Sequence, residues 1–314
     1  MRKVLIIKNW DHPDLFRQTP LGEGMWKDIK FTFNSSSPDY VIVLNYSPKK
    51  IKVNTYRENI WSIQQEPPTE FFKVFHKANK IYQNVFTTDP DLKDGRYIHS
   101  QPALPWLIDK TYDFLKTTSV PEKPYLLSWI TSNKSIFQGH KQRMRFLRNI
   151  RPRIDFDLFG RGFKYLDDKW DGLSPYRYSI VVESHRGPYY FSEKLTDCYL
   201  AWTMPIYFGC TNITDYFPKD SLVQIDIEDP DVVEKVKKTI ESNLWITRRK
   251  AIEKARELVL NKYQFFPYIY DEIKKWERKH PLKYFKKEQI TLLKERMILH
   301  RLRFRFKQLL SFPS

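Results

Sequence analysis

Tyr40-Val41-Ile42-Val43-Leu44, entered from Asp39, is an apolar run with no polar alternation and too little length for a helix. Such a run describes a strand buried on both faces, the environment of a parallel sheet covered by helices. Shorter apolar segments at Val4–Ile7, Ile60–Ile63 and Val85–Thr88 flank it, separated by turn-rich or helical stretches. The pattern predicts an α/β domain over residues 1–115. A Lys-, Thr- and Pro-containing stretch at 116–123 reads as a linker. A second α/β series fills 124–284. Its predicted strands are Tyr125–Ile130, Ile154–Phe159, Tyr178–Val182, Met204–Phe208 and Leu222–Ile225, and its predicted helices are Lys141–Ile150, Ser192–Ala201 and Asp231–Leu244. Two such domains place a cleft between their sheets, and ligands of these sheets bind beyond the carboxyl ends of the strands.

Of the 314 residues, 41% are hydrophobic and 16% aromatic, which excludes a disordered chain. Fifty-four Lys and Arg against 37 Asp and Glu leave a net charge of +17 and point to an anionic partner. The excess is uneven, because residues 273–314 carry 13 basic and 3 acidic side chains. Two cysteines, Cys198 and Cys210, give neither a disulfide framework nor a zinc spacing. The N-terminal apolar run is too short for a signal segment, and no window is long enough to span a bilayer. A cytoplasmic protein, peripheral on the inner membrane face if membrane-associated, is expected.

The stretch from 178 to 209 carries the chemistry. Glu183 stands at a strand end, and ten residues later Glu193-Lys194 opens a helix behind Ser192. Ser192 is a plausible N-cap, the amides of that helix start favour phosphate, and Lys194 adds a point charge. Glu193 suits ribose or sugar hydroxyls rather than phosphate. Taken singly, a first-turn acid and a solvated lysine explain the same pair.

The full string YSIVVESHRGPYYFSEKLTDCYLAWTMPIYFGCTNITDYFP resembles the C-terminal motif of the family 10 fucosyltransferases. Glu183 matches the Glu of their F-E-N-S element, Tyr190 the Tyr ahead of the E-K pair, and Glu193 and Lys194 that pair. Pro205-Ile206-Tyr207 with Gly209 matches the following strand and turn. Upstream, Thr131-Ser132-Asn133 and then Arg143 at a helix start are similar to the family's S-N and diphosphate-binding Arg. Val182, Ser184 and Ser192 replace a Phe, an Asn and a Thr. The resemblance implies a GT-B architecture of two Rossmann-like domains facing a central cleft. It also implies a GDP-fucose donor held by Arg143, Glu183, Tyr190, Ser192, Glu193 and Lys194, transfer with inversion to a glycan or lipid-linked acceptor, and no obligatory metal or other cofactor. No acidic metal motif stands at a strand end in the second domain, since Asp167-Asp168 reads as loop and Asp155-x-Asp157 as strand.

An inverting transfer needs a carboxylate to take the acceptor proton. Glu66, in Gln64-Gln65-Glu66-Pro67-Pro68 directly after a predicted strand, is the candidate, with two prolines stiffening its turn. It is similar to the family's E-S-P. The plainer reading is a turn acid heading a helix at Thr69–Phe72. From Phe285 to the C-terminus, Ile290, Leu293, Met297 and Ile298 at helical spacing predict a basic amphipathic helical tail over 285–314, fit for an anionic membrane or for packing on the body. Two alternatives remain: the same fold with another nucleotide sugar, and, in a different class, a basic nucleic-acid-binding protein, ranked last because no nucleic-acid motif accompanies the tail.

Overall fold

The computed structural model describes residues 1–281 and 285–295. The described residues divide into two units, one made of 1–12, 24–102, 270–281 and 285–295, the other of 13–23 and 103–269. The chain therefore passes between units at 102/103, ahead of the 116–123 stretch.

Unit 1 contains strands β1 (Arg2–Ile7), β2 (Met25–Trp26), β3 (Ile29–Thr32), β4 (Tyr40–Leu44), β5 (Ile51–Thr55), β6 (Ile60–Ile63), β7 (Asn84–Thr87) and β8 (Tyr97–His99). Seven of them form one sheet in the order β2-β3-β1-β4-β6-β7-β8. It is parallel throughout except for β2 against β3. All five residues of central β4 are buried, the outcome its unbroken apolar run dictates. β2, β3, β5 and β8 escape the sequence reading because they are short or carry polar residues mid-strand. A single short helix, α1 (Lys73–His76), follows the Glu66 turn.

Unit 2 holds a parallel sheet in the order β10-β9-β11-β12-β13, from β9 (Tyr125–Ile130), β10 (Asp157–Phe159), β11 (Tyr176–Gly187), β12 (Met204–Cys210) and β13 (Val223–Gln224). The helices are α2 (Tyr112–Thr117), α3 (Gln138–Ile150), α4 (Glu193–Leu200), α5 (Val232–Glu241), α6 (Leu244–Thr247) and α7 (Arg249–Leu258), while α8 (Phe265–Lys279) starts in this unit and ends in unit 1. α3 buries Met144, Phe146, Leu147 and Ile150 at helical spacing. It begins at Gln138, three residues before the predicted start, which puts Arg143 in its second turn rather than at its head.

The predicted C-terminal helix is overturned where it is described. Glu288–Leu292 is a strand, β14, antiparallel to β5, with Ile290 opposite Val53 and Leu292 opposite Ile51. Ile290 and Leu292 join Leu5, Ile7, Val41, Val43, Val53 and Val85 in one apolar cluster, whereas Leu293, assigned to the apolar helix face, is 63% exposed. Burial alternates with period two, which outweighs the sparser i, i+3 spacing. Met297 and Ile298 lie outside the described residues.

Candidate active site

The site in unit 2 is built at the carboxyl ends of the adjacent strands β9 and β11. Beyond β9, Thr131-Ser132-Asn133 leads into α3. Beyond Val182 the pairing of β11 with β12 slips, and Glu183 falls in the irregular stretch before Gly187. The glycine at 139 lets these two regions meet, because a Cβ there would lie 2.0 Å from the carbonyl oxygen of Ser184. Gly209 likewise leaves room for the Glu183 side chain, whose Cγ would be 2.5 Å from a Cβ at that position. The motif glycine of P-I-Y-x-G thus has a packing cause in this chain.

Glu183 is buried and binds the head of α4. Its carboxylate accepts from Ser192 N at 2.7 Å and from Ser192 Oγ at 2.7 and 2.9 Å. Lys194 Nζ donates to Ser192 Oγ at 2.9 Å and to Glu183 at 3.4 Å. Ser192 is the N-cap, its hydroxyl accepting from Lys194 N, as its residue type foretells. The Ser192 amide, expected to face a phosphate, is instead taken by Glu183. Tyr190 is buried and packs edge-on against His185, their ring centroids 5.9 Å apart.

Positive charge converges on this point. Arg143 is 3% exposed, donates to the carbonyl and hydroxyl of Ser132, and its Nε has no hydrogen-bond partner among the described residues. The neighbouring Thr131 hydroxyl is also buried without one. Unsatisfied buried donors at a strand end are costly unless something binds them. Burial lowers the Arg143 pKa, against the pull of Glu183. His140, in the first turn of α3, accepts from Phe137 N. Burial first, and then the charges of Arg143, Lys134 and Lys194, push its imidazole down to about 4. Those three cations therefore each lie within electrostatic reach of His140. Lys194 stays charged, because Glu193 and Glu183 more than offset its burial.

Glu193 sits beside this cluster. Burial alone would raise its pKa, but Lys194 and Lys169 hold it at about 2, with Lys169 Nζ 3.4 Å and Lys194 Nζ 3.8 Å from Oε1. Lys169, His140 and Asp197 are missing from the sequence-derived set. Asp197 lies one turn after Glu193 on α4, a helical spacing that the sequence does offer, whereas nothing local marks Lys169 or His140. Asp168 caps the turn at Trp170 and pairs with Lys110 at 2.6 Å, and Asp157 accepts from Tyr176, so both acids have structural duties. Among the described residues no group of three or more His, Cys, Asp or Glu side chains is placed to hold a metal ion.

Glu66 belongs to unit 1, three residues beyond β6, half-buried. Its carbonyl accepts from His76 Nε2 at 2.8 Å, so His76 Nδ1 accepts from the Thr87 hydroxyl at 2.7 Å at the end of β7. Gln65 N donates to Asn45 Oδ1 on the other side. Backbone on both flanks of Glu66 is thereby fixed. The helix it was to head under the plainer reading is only the single turn of α1, seven residues later. No helix among the described residues is long and apolar enough to cross a membrane.

Comparison with known proteins bears out the resemblance. Residues 120–243 match the family model described as glycosyltransferase family 10 (fucosyltransferase), C-terminal. Alpha-(1,3)-fucosyltransferase 7 of Mus musculus is 27% identical over 116 residues, 35% of this chain and 29% of that protein's length. The aligned part thus spans less than a third of that relative. A crystal structure of an alpha1,3-fucosyltransferase superposes with a TM-score of 0.51 at 15% identity, covering 84% of this chain and 91% of the other. That likeness is one of fold, and the two parallel α/β units are those of the GT-B class.

Proposed function

We propose that this chain is an inverting glycosyltransferase that moves fucose from GDP-fucose to a hydroxyl of a glycan or lipid-linked acceptor. The observation that carries the reading is the placement of the cations Arg143, Lys194 and Lys134 around a neutral His140 at the carboxyl ends of β9 and β11, beside an ionised Glu193, within the segment that matches the family model. A diphosphate leaving group gains negative charge as the glycosidic bond breaks. Fixed cations stabilise that charge without reorganising, so no other cofactor is needed in this reading.

In this reading Arg143 Nε and Lys194 Nζ donate to the diphosphate. Glu183 and Ser192 aim Lys194 rather than touch the donor, and Tyr190 belongs to the donor-binding set. Glu193 accepts from ribose hydroxyls. Glu66 takes the proton of the acceptor hydroxyl as its oxygen attacks the anomeric carbon opposite the departing phosphate, which inverts the centre. The basic C-terminal residues would favour an anionic membrane carrying such acceptors.

A second reading keeps the reaction and changes the donor sugar. Ser184 and Val182 replace the family's Asn and Phe beside Glu183, where Ser184 also packs on Gly139. One panel decides: the protein is titrated with GDP-fucose, GDP-mannose and UDP-sugars and assayed for transfer. Binding and turnover with GDP-fucose are expected. Failure to bind any GDP-linked donor rejects the nucleotide, and use of GDP-mannose alone rejects fucose.

A further inference from the structure

Lys169 lies 24 residues before Glu193 in sequence, yet its ammonium is held between Glu193 Oε1 at 3.4 Å and Asp197 Oδ2 at 3.3 Å. Those carboxylates stand four residues apart on α4, so they share a face and repel each other unless a cation separates them. Both ends of this bridge are fastened. Asp197 is 1% exposed and its other oxygen accepts from Leu107 N at 3.0 Å. Lys169 opens a 3-10 turn capped by Asp168, and Asp168 in turn accepts from Lys110 Nζ at 2.6 Å and Asp109 N at 2.8 Å. The ammonium is thus placed by two loops rather than by its own flexible stem. Lys169 and Lys194 both bear on Oε1 of Glu193, at 3.4 and 3.8 Å. That arrangement pins one oxygen of the carboxylate.

We propose that Lys169 is a positioning residue, which fixes the Glu193 carboxylate in the orientation that accepts hydrogen bonds from the ribose hydroxyls of the donor nucleotide. The inference rests on the reading of Glu193 given above. Asp197 completes the device as the second acceptor of the Lys169 ammonium, which gives a buried acid outside the donor-contacting set a reason to be charged. Burial raises its pKa to about 6 despite Lys169, so it is retained against an energetic penalty.

The test compares GDP with 2′,3′-dideoxy-GDP by calorimetry on the full chain. Wild type should prefer GDP by about tenfold or more, the size of a hydrogen bond to a charged acceptor. Glu193→Ala sets the baseline without that preference. Lys169→Met should reduce the preference below about threefold while leaving the affinity for dideoxy-GDP within about twofold of wild type. Lys169→Arg should retain the preference. If Lys169→Met does not fold, Lys169→Met with Asp197→Asn removes one charge of each sign and should show the same selective loss. A preference that survives either Lys169→Met variant overturns the proposal, and so does equal weakening of both nucleotides, the mark of a general stabilising role. A wild type without preference removes the ribose reading of Glu193 itself, an outcome distinct from those two.

Discussion

Glu183 and Ser192 satisfy each other, the carboxylate receiving both the amide and the hydroxyl of the residue that caps α4, at 2.7 to 2.9 Å. The pair ties the irregular end of β11 to the helix that carries Glu193 and Lys194. Glu183→Ala would strand two buried donors and the Lys194 ammonium. We expect a loss of stability of about 3–5 kcal/mol, read from denaturant unfolding, with Glu183→Gln costing less because one acceptor oxygen remains. An unchanged unfolding midpoint in the alanine variant would show that the pair does not hold the two elements together.

Lys194→Ala should weaken GDP binding by about 1.5–3 kcal/mol, the range for a charge-assisted contact. Stability should suffer as well, because Glu193 and Glu183 lose a partner. Affinity is therefore to be measured on the folded fraction. Equal affinity for GDP in both proteins rejects the diphosphate contact.

For Glu66 the informative substitution is Gln, which keeps shape and hydrogen bonding but cannot accept the proton. Turnover should drop by roughly 10²–10⁴ with GDP affinity and unfolding temperature nearly unchanged. Because the backbone at 66 is held by His76, His76→Ala should also lower turnover, but together with stability. Full turnover in a folded Glu66→Gln protein would dismiss Glu66 as the base.

The low pKa of His140, about 4 against an ordinary 6.5, gives a pH signature with a definite sign. Above 6.5 folded and unfolded chains both hold the neutral imidazole. As pH falls below that value the unfolded chain takes up a proton that the folded one declines, so stability drops until about pH 4. After discounting for partial exposure, the share of His140 is on the order of 1–2 kcal/mol. Urea unfolding of wild type and His140→Gln at pH 7 and 4.5 should show a smaller acid loss in the variant. Parallel losses in the two proteins would exclude this origin.

What the sequence disclosed follows from where the information sits. β4, β6 and β9 are legible to the residue because each is an apolar run enclosed by turn chemistry. The N-cap at Ser192 and the pair behind it are legible because capping is local. β14 misleads, since Ile290 and Leu293 satisfy a helical spacing, and only β5, distant in sequence, decides for a strand. Lys169 and His140 are invisible for a related reason: their importance is created by side chains that other segments bring to them. Glu183 illustrates a third case, in which the residue is found but its neighbour is not. Its carboxylate takes the amide that the cap alone would have reserved for phosphate.

The pairing of β5 with β14 also has a consequence during synthesis. Thr55 must wait for Glu288, about 230 residues further along the chain. At bacterial to eukaryotic elongation rates of about 5–20 residues per second, that is a delay on the order of 10–50 s. Unit 2 has all its residues by 269, whereas unit 1 still lacks the strand that covers Val53. The order in which the two units can be completed on the ribosome is thus the reverse of the order in which they begin, and the N-terminal apolar cluster lacks Ile290 and Leu292 throughout that interval.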